Sequence, residues 1–260
     1  MKNHLVLLVS AFRLAAMVCM LLGWSCVASR AGAGWNPDGS CFVDSADLLV
    51  TVFPSSGSMT VHDKASGLTW NQRAHATHTA FSNVTLFTNV NAIGFNTSFY
   101  PTNGGTLFTW VELWLNERKL SVTANVDDYA TPLTSFDFIE PFQPASGMSV
   151  VVPEFTDGKI YPCNLSSWVN YNLDSIRALN LTIPWVAVVN PASGAGYSVT
   201  FDTPNDAQLK LAKSGGLRSP LAAWNGQKGT FGYKRSITYN FSAAGGYVEL
   251  AKMYRTNAMS

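Results

Sequence analysis

Residues 106–115, TLFTWVELWL, form the segment that most limits how this chain can fold. Its residues alternate between two sets: Leu107, Val111, Leu113 and Leu115 against Phe108, Trp110, Glu112 and Trp114. Because successive side chains of a strand point to opposite faces, this segment predicts a β-strand that is apolar on both sides. Such a strand must be covered on both faces. The segment therefore predicts a strand within stacked sheets or beneath a partner domain.

Other short apolar runs, separated by Gly-, Pro- and Ser-rich turns, continue this pattern along the chain. The predicted strands are Leu48–Phe53, Met59–Asp63, Leu68–Asn71, Asn83–Val90, Met148–Val152, Ile183–Val189, Gly196–Asp202 and Thr230–Phe241. Many short strands with turns between them are typical of sandwiches and barrels. We therefore expect one large all-β domain over residues 34–245.

Two segments have helical spacing. Leu173–Leu179 is long enough for two turns, and Gly246–Asn257 places Tyr247, Leu250 and Tyr254 on one side. The second segment predicts a C-terminal helix, over residues 246–260, whose apolar face needs a partner.

The composition limits the class of protein. Of the 260 residues, 47% are hydrophobic and 13% are charged, which excludes a disordered chain. The net charge of +1 gives no indication of a nucleic-acid partner.

The N-terminal residues 1–33 resemble a secretory signal peptide. Lys2 and Arg13 precede an uncharged run from Leu14 to Ala28, and small residues follow it. Cleavage is expected after Val27-Ala28-Ser29 or after Ala31-Gly32-Ala33, and the second site would leave residues 34–260. The protein is then secreted or periplasmic and has no membrane contact after cleavage; the alternative is an uncleaved segment that anchors it in a membrane.

Chemistry-bearing motifs are sparse. We find no nucleophile elbow, phosphate-binding loop or dinucleotide fingerprint, and we expect no cofactor. His75 and His78 are three residues apart, but no Cys or acid nearby completes a metal site, so none is predicted. Cys41 and Cys163 are a candidate disulfide in an oxidising compartment, and two buried free thiols are the alternative.

Tryptophans are the candidate sugar-binding residues, because the C–H faces of sugars stack on aromatic rings. Trp168 and Trp224 lie in loop-like contexts, and Trp185 is a third candidate. The alternative for each ring is an ordinary place in the core.

Five phrases carry a resemblance to a known family. They are Asp63–Trp70, Val152–Pro162, Ile183–Val188 with Gly194–Tyr197, Asp202–Ala207 and Leu250–Arg255. In this order and spacing, over residues 45–258, they resemble the N-terminal galactose-mutarotase-like β-sandwich of secreted glycoside hydrolases of the endo-α-N-acetylgalactosaminidase type. The resemblance implies a large antiparallel supersandwich with a short C-terminal helix.

In such enzymes the sandwich leads into a (β/α)₈ barrel that carries the catalytic acids. Only 15 residues follow Gly245, so the resemblance implies that the barrel is missing. We expect a non-catalytic, carbohydrate-associated domain that supports or lines the sugar site of that barrel, and we assign no catalytic residue. The alternatives are a stand-alone carbohydrate-binding or surface protein, and a mutarotase-like epimerase or lyase. The latter would require a His and a Glu or Asp on facing strands, and His62 is the strand histidine available for it.

Overall fold

The computed structural model describes residues 31–72, 80–99, 106–154, 157–164, 175–177 and 181–259. In chain order the strands are β1 Gly32–Trp35, β2 Cys41–Asp44, β3 Leu48–Phe53, β4 Ser58–Asp63, β5 Thr69–Asn71, β6 Ser82–Thr88, β7 Ala92–Phe99, β8 Leu107–Trp114, β9 Lys119–Asn125, β10 Ser135–Phe138, β11 Ser149–Glu154, β12 Asp157–Pro162, β13 Ser175–Arg177, β14 Trp185–Val189, β15 Gly196–Phe201, β16 Ala207–Ser214, β17 Leu217–Asn225 and β18 Arg235–Ser242. A 3-10 turn spans Pro54–Ser56, and the helix α1 spans Gly246–Met259.

The strands form three sheets. A five-stranded sheet has the order β1-β2-β3-β4-β5, a four-stranded sheet the order β10-β17-β16-β13, and a nine-stranded sheet the order β12-β11-β14-β15-β18-β9-β8-β7-β6. Every pairing between these strands is antiparallel. The predicted all-β class is confirmed.

One continuous hydrophobic core joins the three sheets and contains aromatic residues from each side. Trp70 of the five-stranded sheet meets Tyr197 of the nine-stranded sheet edge-on, with ring centroids 5.0 Å apart. Trp224 of the four-stranded sheet meets Phe201 at 6.2 Å, also on the nine-stranded sheet. Both smaller sheets therefore pack against the same face of the nine-stranded sheet, which we call its inner face.

Helix α1 covers part of the opposite face, which we call the outer face. Leu250 is fully buried in a second, smaller cluster with Val151, Trp185, Ala187 and Val189. The helix begins at Gly246, directly after Gly245, and the φ values of +63° and +85° at these two positions favour glycine. The predicted C-terminal helix is confirmed, and the sheet is the partner of its apolar face.

Most predicted strands occur within a few residues of their predicted bounds. The prediction of a short helix at Leu173–Leu179 is wrong for its three central residues. Ser175–Arg177 is the strand β13, which pairs with Gln208–Lys210 of β16. Pairing at the edge of a sheet outweighs a weak local helical pattern in so short a segment. At the N-terminus, β1 starts at Gly32, before the predicted domain boundary at residue 34.

In the part of the chain that the structure describes, no helix has the length and hydropathy that crossing a membrane requires.

Candidate functional site

Strand β8 alternates between two apolar faces, as its sequence predicts, but in the described residues only one of the two faces is fully covered. Its odd-numbered residues are buried in the core, whereas Phe108, Trp110, Glu112 and Trp114 are half-buried on the outer face. The alternation arises because one face packs on the smaller sheets and the other lies beyond the edge of the α1 cluster. A row of aromatic rings with one acid is therefore accessible on the outer face.

Glu112 lies at the centre of this row, between Trp110 and Trp114 on its own strand. Its cross-strand neighbours are Gly94 of β7 and Ser121 of β9. Among the described residues the Glu112 carboxylate has no hydrogen-bond or ion-pair partner. Glu112 thus offers both carboxylate oxygens as acceptors beside two indole rings.

Gly94 has no side chain on the outer face, which leaves room there for a neighbouring ring. A Cβ atom at Gly94 would lie 2.0 Å from the carbonyl oxygen of Val111 and 2.7 Å from Cζ of Phe87. The Phe87 ring therefore occupies the space over Gly94, where another residue would have its side chain. The ring of Phe87, from β6, therefore lies over the β7 position that pairs with Glu112.

A chain of hydrogen bonds crosses the outer face beside the aromatic row. Trp114 Nε1 donates to Ser121 Oγ at 3.2 Å, and Ser121 Oγ lies 3.1 Å from Thr238 Oγ1. Thr238 Oγ1 in turn donates to Asp202 Oδ2 at 2.9 Å. Because Thr238 donates to the carboxylate, Ser121 must donate to Thr238. The chain fixes the Trp114 indole in one orientation.

Asp202 and Lys119 provide the charges at this end of the outer face. Asp202 is an exposed residue, but the protein packed around its carboxylate desolvates it and raises its pKa, while Thr238 and Lys119 act in the opposite direction. Lys119 Nζ lies 4.1 Å from the centroid of the Trp114 ring and 2.9 Å from a Glu117 oxygen. One face of Trp114 is therefore covered by a cation.

The outer face also carries several buried polar atoms without hydrogen-bond partners. They are Oδ1 of Asn96, Oδ1 of Asn125, Oγ of Ser198, Oγ1 of Thr200 and Nδ2 of Asn240. An unsatisfied buried group costs about 1–3 kcal/mol. These atoms are hydrogen-bonding groups that the described residues leave unused on this face.

The sequence-predicted sugar-binding tryptophans do not lie in this row. Trp168 falls outside the described residues. Trp224 is 0% exposed, donates to Thr203 O at 2.9 Å and stacks on Phe136, so no ring surface is accessible to a sugar. Trp185 is 3% exposed, beneath α1 and 6.5 Å from the Tyr254 ring. These two rings are structural: they fill the core and the helix–sheet contact.

The candidate disulfide is not formed, and both Cys41 and Cys163 are buried free thiols. Each packs in the main hydrophobic core. Burial raises the pKa of Cys41, and it raises that of Cys163 to about 12. The alternative stated from the sequence, two buried thiols, is the one the structure adopts.

Histidines contribute nothing to the outer face in the part of the chain described. His75 and His78 lie outside the described residues, and His62 is in β4 of the five-stranded sheet. His62 Nδ1 lies 3.0 Å from Thr69 Oγ1. The described residues contain no group of three or more His, Cys, Asp or Glu side chains that could hold a metal ion.

Sequence reasoning singled out β8 for its two apolar faces but chose other tryptophans as sugar platforms. The signal that distinguishes this row is Glu112, a single acid between two aromatic residues of the same strand face. An acid whose neighbours along the strand are all apolar needs either a partner or water.

No protein-family model and no curated protein sequence matches the chain. Among solved structures, it is similar to alpha-N-acetylgalactosaminidase NagBb from Bifidobacterium bifidum in its Gal-NHAc-DNJ complex, with a TM-score of 0.66 and 11% identity over 84% of this chain. The GalNAc complex of NagBb gives a TM-score of 0.64 and 12% identity over 83% of this chain. A galactose mutarotase related enzyme from Lactobacillus acidophilus gives 0.43 and 8%, over 80% of this chain and 99% of that one.

This chain spans 38% of the NagBb chain. At such low identity the likeness concerns the fold alone. It confirms, at that level, the large antiparallel β-sandwich that the five sequence phrases predicted.

Proposed function

We propose that this chain is a non-catalytic, carbohydrate-associated β-sandwich domain that works beside the catalytic domain of a glycoside hydrolase. In this proposal its outer face lines the sugar site. The fold likeness to 38% of a glycoside hydrolase chain supports the general role. The observation that carries the local assignment is the unpartnered Glu112 between Trp110 and Trp114.

The chemistry of this row suits a sugar. Indole rings offer large apolar surfaces with few rotatable bonds, so the C–H face of a pyranose can stack on Trp110 at low entropic cost. Sugar hydroxyl groups can donate to the Glu112 carboxylate, and such charge-assisted hydrogen bonds are stronger than neutral ones. Because Glu112 has no existing partner, no bond has to break first.

The partners of two nearby acids favour binding over hydrolysis. Glycoside hydrolysis needs two carboxyl groups about 5–10 Å apart that can act together on one sugar. Asp202 already accepts a hydrogen bond from Thr238, and Glu117 forms an ion pair with Lys119. Both acids are therefore engaged within the protein, whereas Glu112 is not.

A titration with free sugars, followed by tryptophan fluorescence, tests the proposal. N-acetylgalactosamine is the first probe, because a structural neighbour was solved with GalNAc. We expect Trp110→Ala and Glu112→Gln each to weaken binding at least tenfold, since each removes one half of the contact. Trp185→Phe, which changes a ring under α1, is the matched control and should bind as the wild type does.

An aryl-glycoside assay tests the non-catalytic part. We expect no turnover by the isolated chain. Hydrolysis that disappears in Glu112→Gln would contradict the proposal and would make Glu112 a catalytic acid.

A further inference from the structure

A polar pocket of about 400 Å³ lies where the C-terminal half of α1 meets the turn between β8 and β9. We call it the junction pocket. The turn contributes Asn116 and Arg118, the helix contributes Lys252 and Thr256, and Asn240 of β18 also lines it. Its volume is in the range of small-molecule sites, about 300–1,000 Å³.

The charges that line the junction pocket are already neutralised. Lys119 lies 2.9 Å from a Glu117 oxygen, and Lys252 lies 3.5 Å from a Glu249 oxygen. Arg118 forms an ion pair with the buried Asp63 and lies 4.0 Å from Asp47, the third acid of the lining. Each of the three cations thus has a carboxylate beside it, so the lining attracts neither anions nor cations strongly.

Neutral hydrogen-bonding groups complete the lining. Asn116 is exposed, and among the described residues its amide has no partner. Thr256 Oγ1 donates to Lys252 O at 3.1 Å, which leaves the hydroxyl oxygen free to accept a further bond. Asn240 is only 2% exposed, accepts from Asn257 Nδ2 at 3.2 Å, and its own Nδ2 has no partner. Amide and hydroxyl groups of this kind bind neutral polyhydroxy ligands.

We propose that the junction pocket is a second sugar subsite, which takes one neutral pyranose unit separately from the Trp110–Glu112–Trp114 row. The ligand class rests on the proposed function, whereas the site rests on the pocket itself. Its neutral charge balance disfavours phosphates and acidic sugars. Met253 supplies an apolar contact for the C–H face of the ring.

The fluorescence of Trp114 should report the binding of a ligand in the junction pocket. Lys119 lines it, and the Lys119 ammonium lies 4.1 Å from the centroid of the Trp114 ring. A ligand that displaces Lys119 changes the charge over Trp114 and therefore the emission of that indole. Trp114→Phe should remove this signal.

The experiment separates the two subsites by variant background. In the Trp110→Ala/Glu112→Gln protein we expect residual N-acetylgalactosamine binding, measured by calorimetry and by ligand-observed NMR. Adding Asn116→Ala and Thr256→Val should weaken that residual binding at least fivefold. Asn164→Ala and Thr88→Val, two exposed positions outside the pocket, are the matched controls and should leave it unchanged.

Each result assigns one outcome. Residual binding that is lost with Asn116→Ala/Thr256→Val supports the pocket. Complete loss of binding in Trp110→Ala/Glu112→Gln alone overturns the pocket and leaves the proposed function standing. If binding is unchanged in Trp110→Ala/Glu112→Gln but is lost in the pocket variants, the pocket is supported and the role of the Trp110–Glu112–Trp114 row is overturned. Competition by inorganic phosphate would overturn the neutral-sugar assignment.

Discussion

Cys41 and Cys163 show how burial alone determines the chemistry of a residue. Neither thiol forms a disulfide, and each is enclosed by core side chains. Desolvation disfavours the thiolate, which raises the pKa of Cys163 to about 12. Since the thiolate is the reactive form, both side chains are inert in the folded protein.

We expect a chain that begins at Arg30 to react negligibly with a thiol reagent at pH 8 while it is folded. In denaturant without reductant, both Cys41 and Cys163 should react. Two thiols that react only after reductant is added would contradict the free state.

The raised pKa of Cys163 also makes the stability of the protein depend on pH. Below the ordinary thiol pKa of about 8.5 the folded and unfolded proteins both keep the proton. As pH rises towards 12, the thiol ionises in the unfolded protein first, so the free energy of unfolding declines. Cys163→Ala should reduce this alkaline loss of stability, measured by urea unfolding.

At the scale of elements, β1 is the first strand of the described residues, and it bears on where a signal peptide could be cleaved. Gly32 pairs with Asp44 and Ala33 with Val43, so cleavage after Ala33 would remove half of the strand. Cleavage after Ser29 keeps all of β1. We propose that the chain is secreted and that its mature form begins at Arg30, which N-terminal sequencing of the exported protein checks.

A chain that begins at Gly34 tests the same strand in vitro. It loses the Gly32 and Ala33 pairings, and backbone hydrogen bonds contribute about 1 kcal/mol each. We expect its melting temperature to be several degrees below that of the chain beginning at Arg30. Equal melting temperatures would mean that β1 contributes nothing to stability.

Helix α1 depends on Leu250, which is 0% exposed beneath it. Leu250→Ala removes buried methyl groups and leaves a cavity beside Trp185, so we expect a loss of about 2–5 kcal/mol in the free energy of unfolding. Val248→Ala is the control, because Val248 is 48% exposed and should change stability little. Equal effects of the two substitutions would contradict the assigned helix face.

At the scale of the whole molecule, one ion pair joins two sheets. Asp63 is buried at the end of β4 in the five-stranded sheet, and Arg118 precedes β9 in the nine-stranded sheet. Arg118 Nε also donates to Phe241 O at 3.0 Å, while Asp63 Oδ2 accepts from Ser66 Oγ at 2.6 Å. The pair therefore fixes the two layers at one end of the sandwich.

Arg118→Ala should cost about 3–5 kcal/mol, because it leaves the Asp63 charge buried without its partner. Arg118→Ala/Asp63→Asn removes both charges and should recover part of that loss. Denaturant unfolding measures both proteins. A double variant no more stable than Arg118→Ala would show that the buried charge is not the source of the loss.

How much the sequence predicts differs between local and long-range features. Period-two alternation predicted β3 at Leu48–Phe53, and helical spacing predicted α1, because both patterns lie within one segment. The strand β13 was missed because its pairing partner, β16, is about thirty residues away. Trp224 and Trp110 are chemically identical, and only tertiary packing determines which ring is buried.

Gly194 has a consequence for the direction of α1. A Cβ atom there would lie 2.8 Å from the backbone nitrogen of Gly245, and Gly246 N donates to Gly194 O at 2.8 Å. The absence of a side chain in the β14–β15 turn thus sets the angle at which the helix leaves the sheet. Any larger residue at position 194 would displace main chain instead of a movable side chain, and would therefore reorient the helix itself.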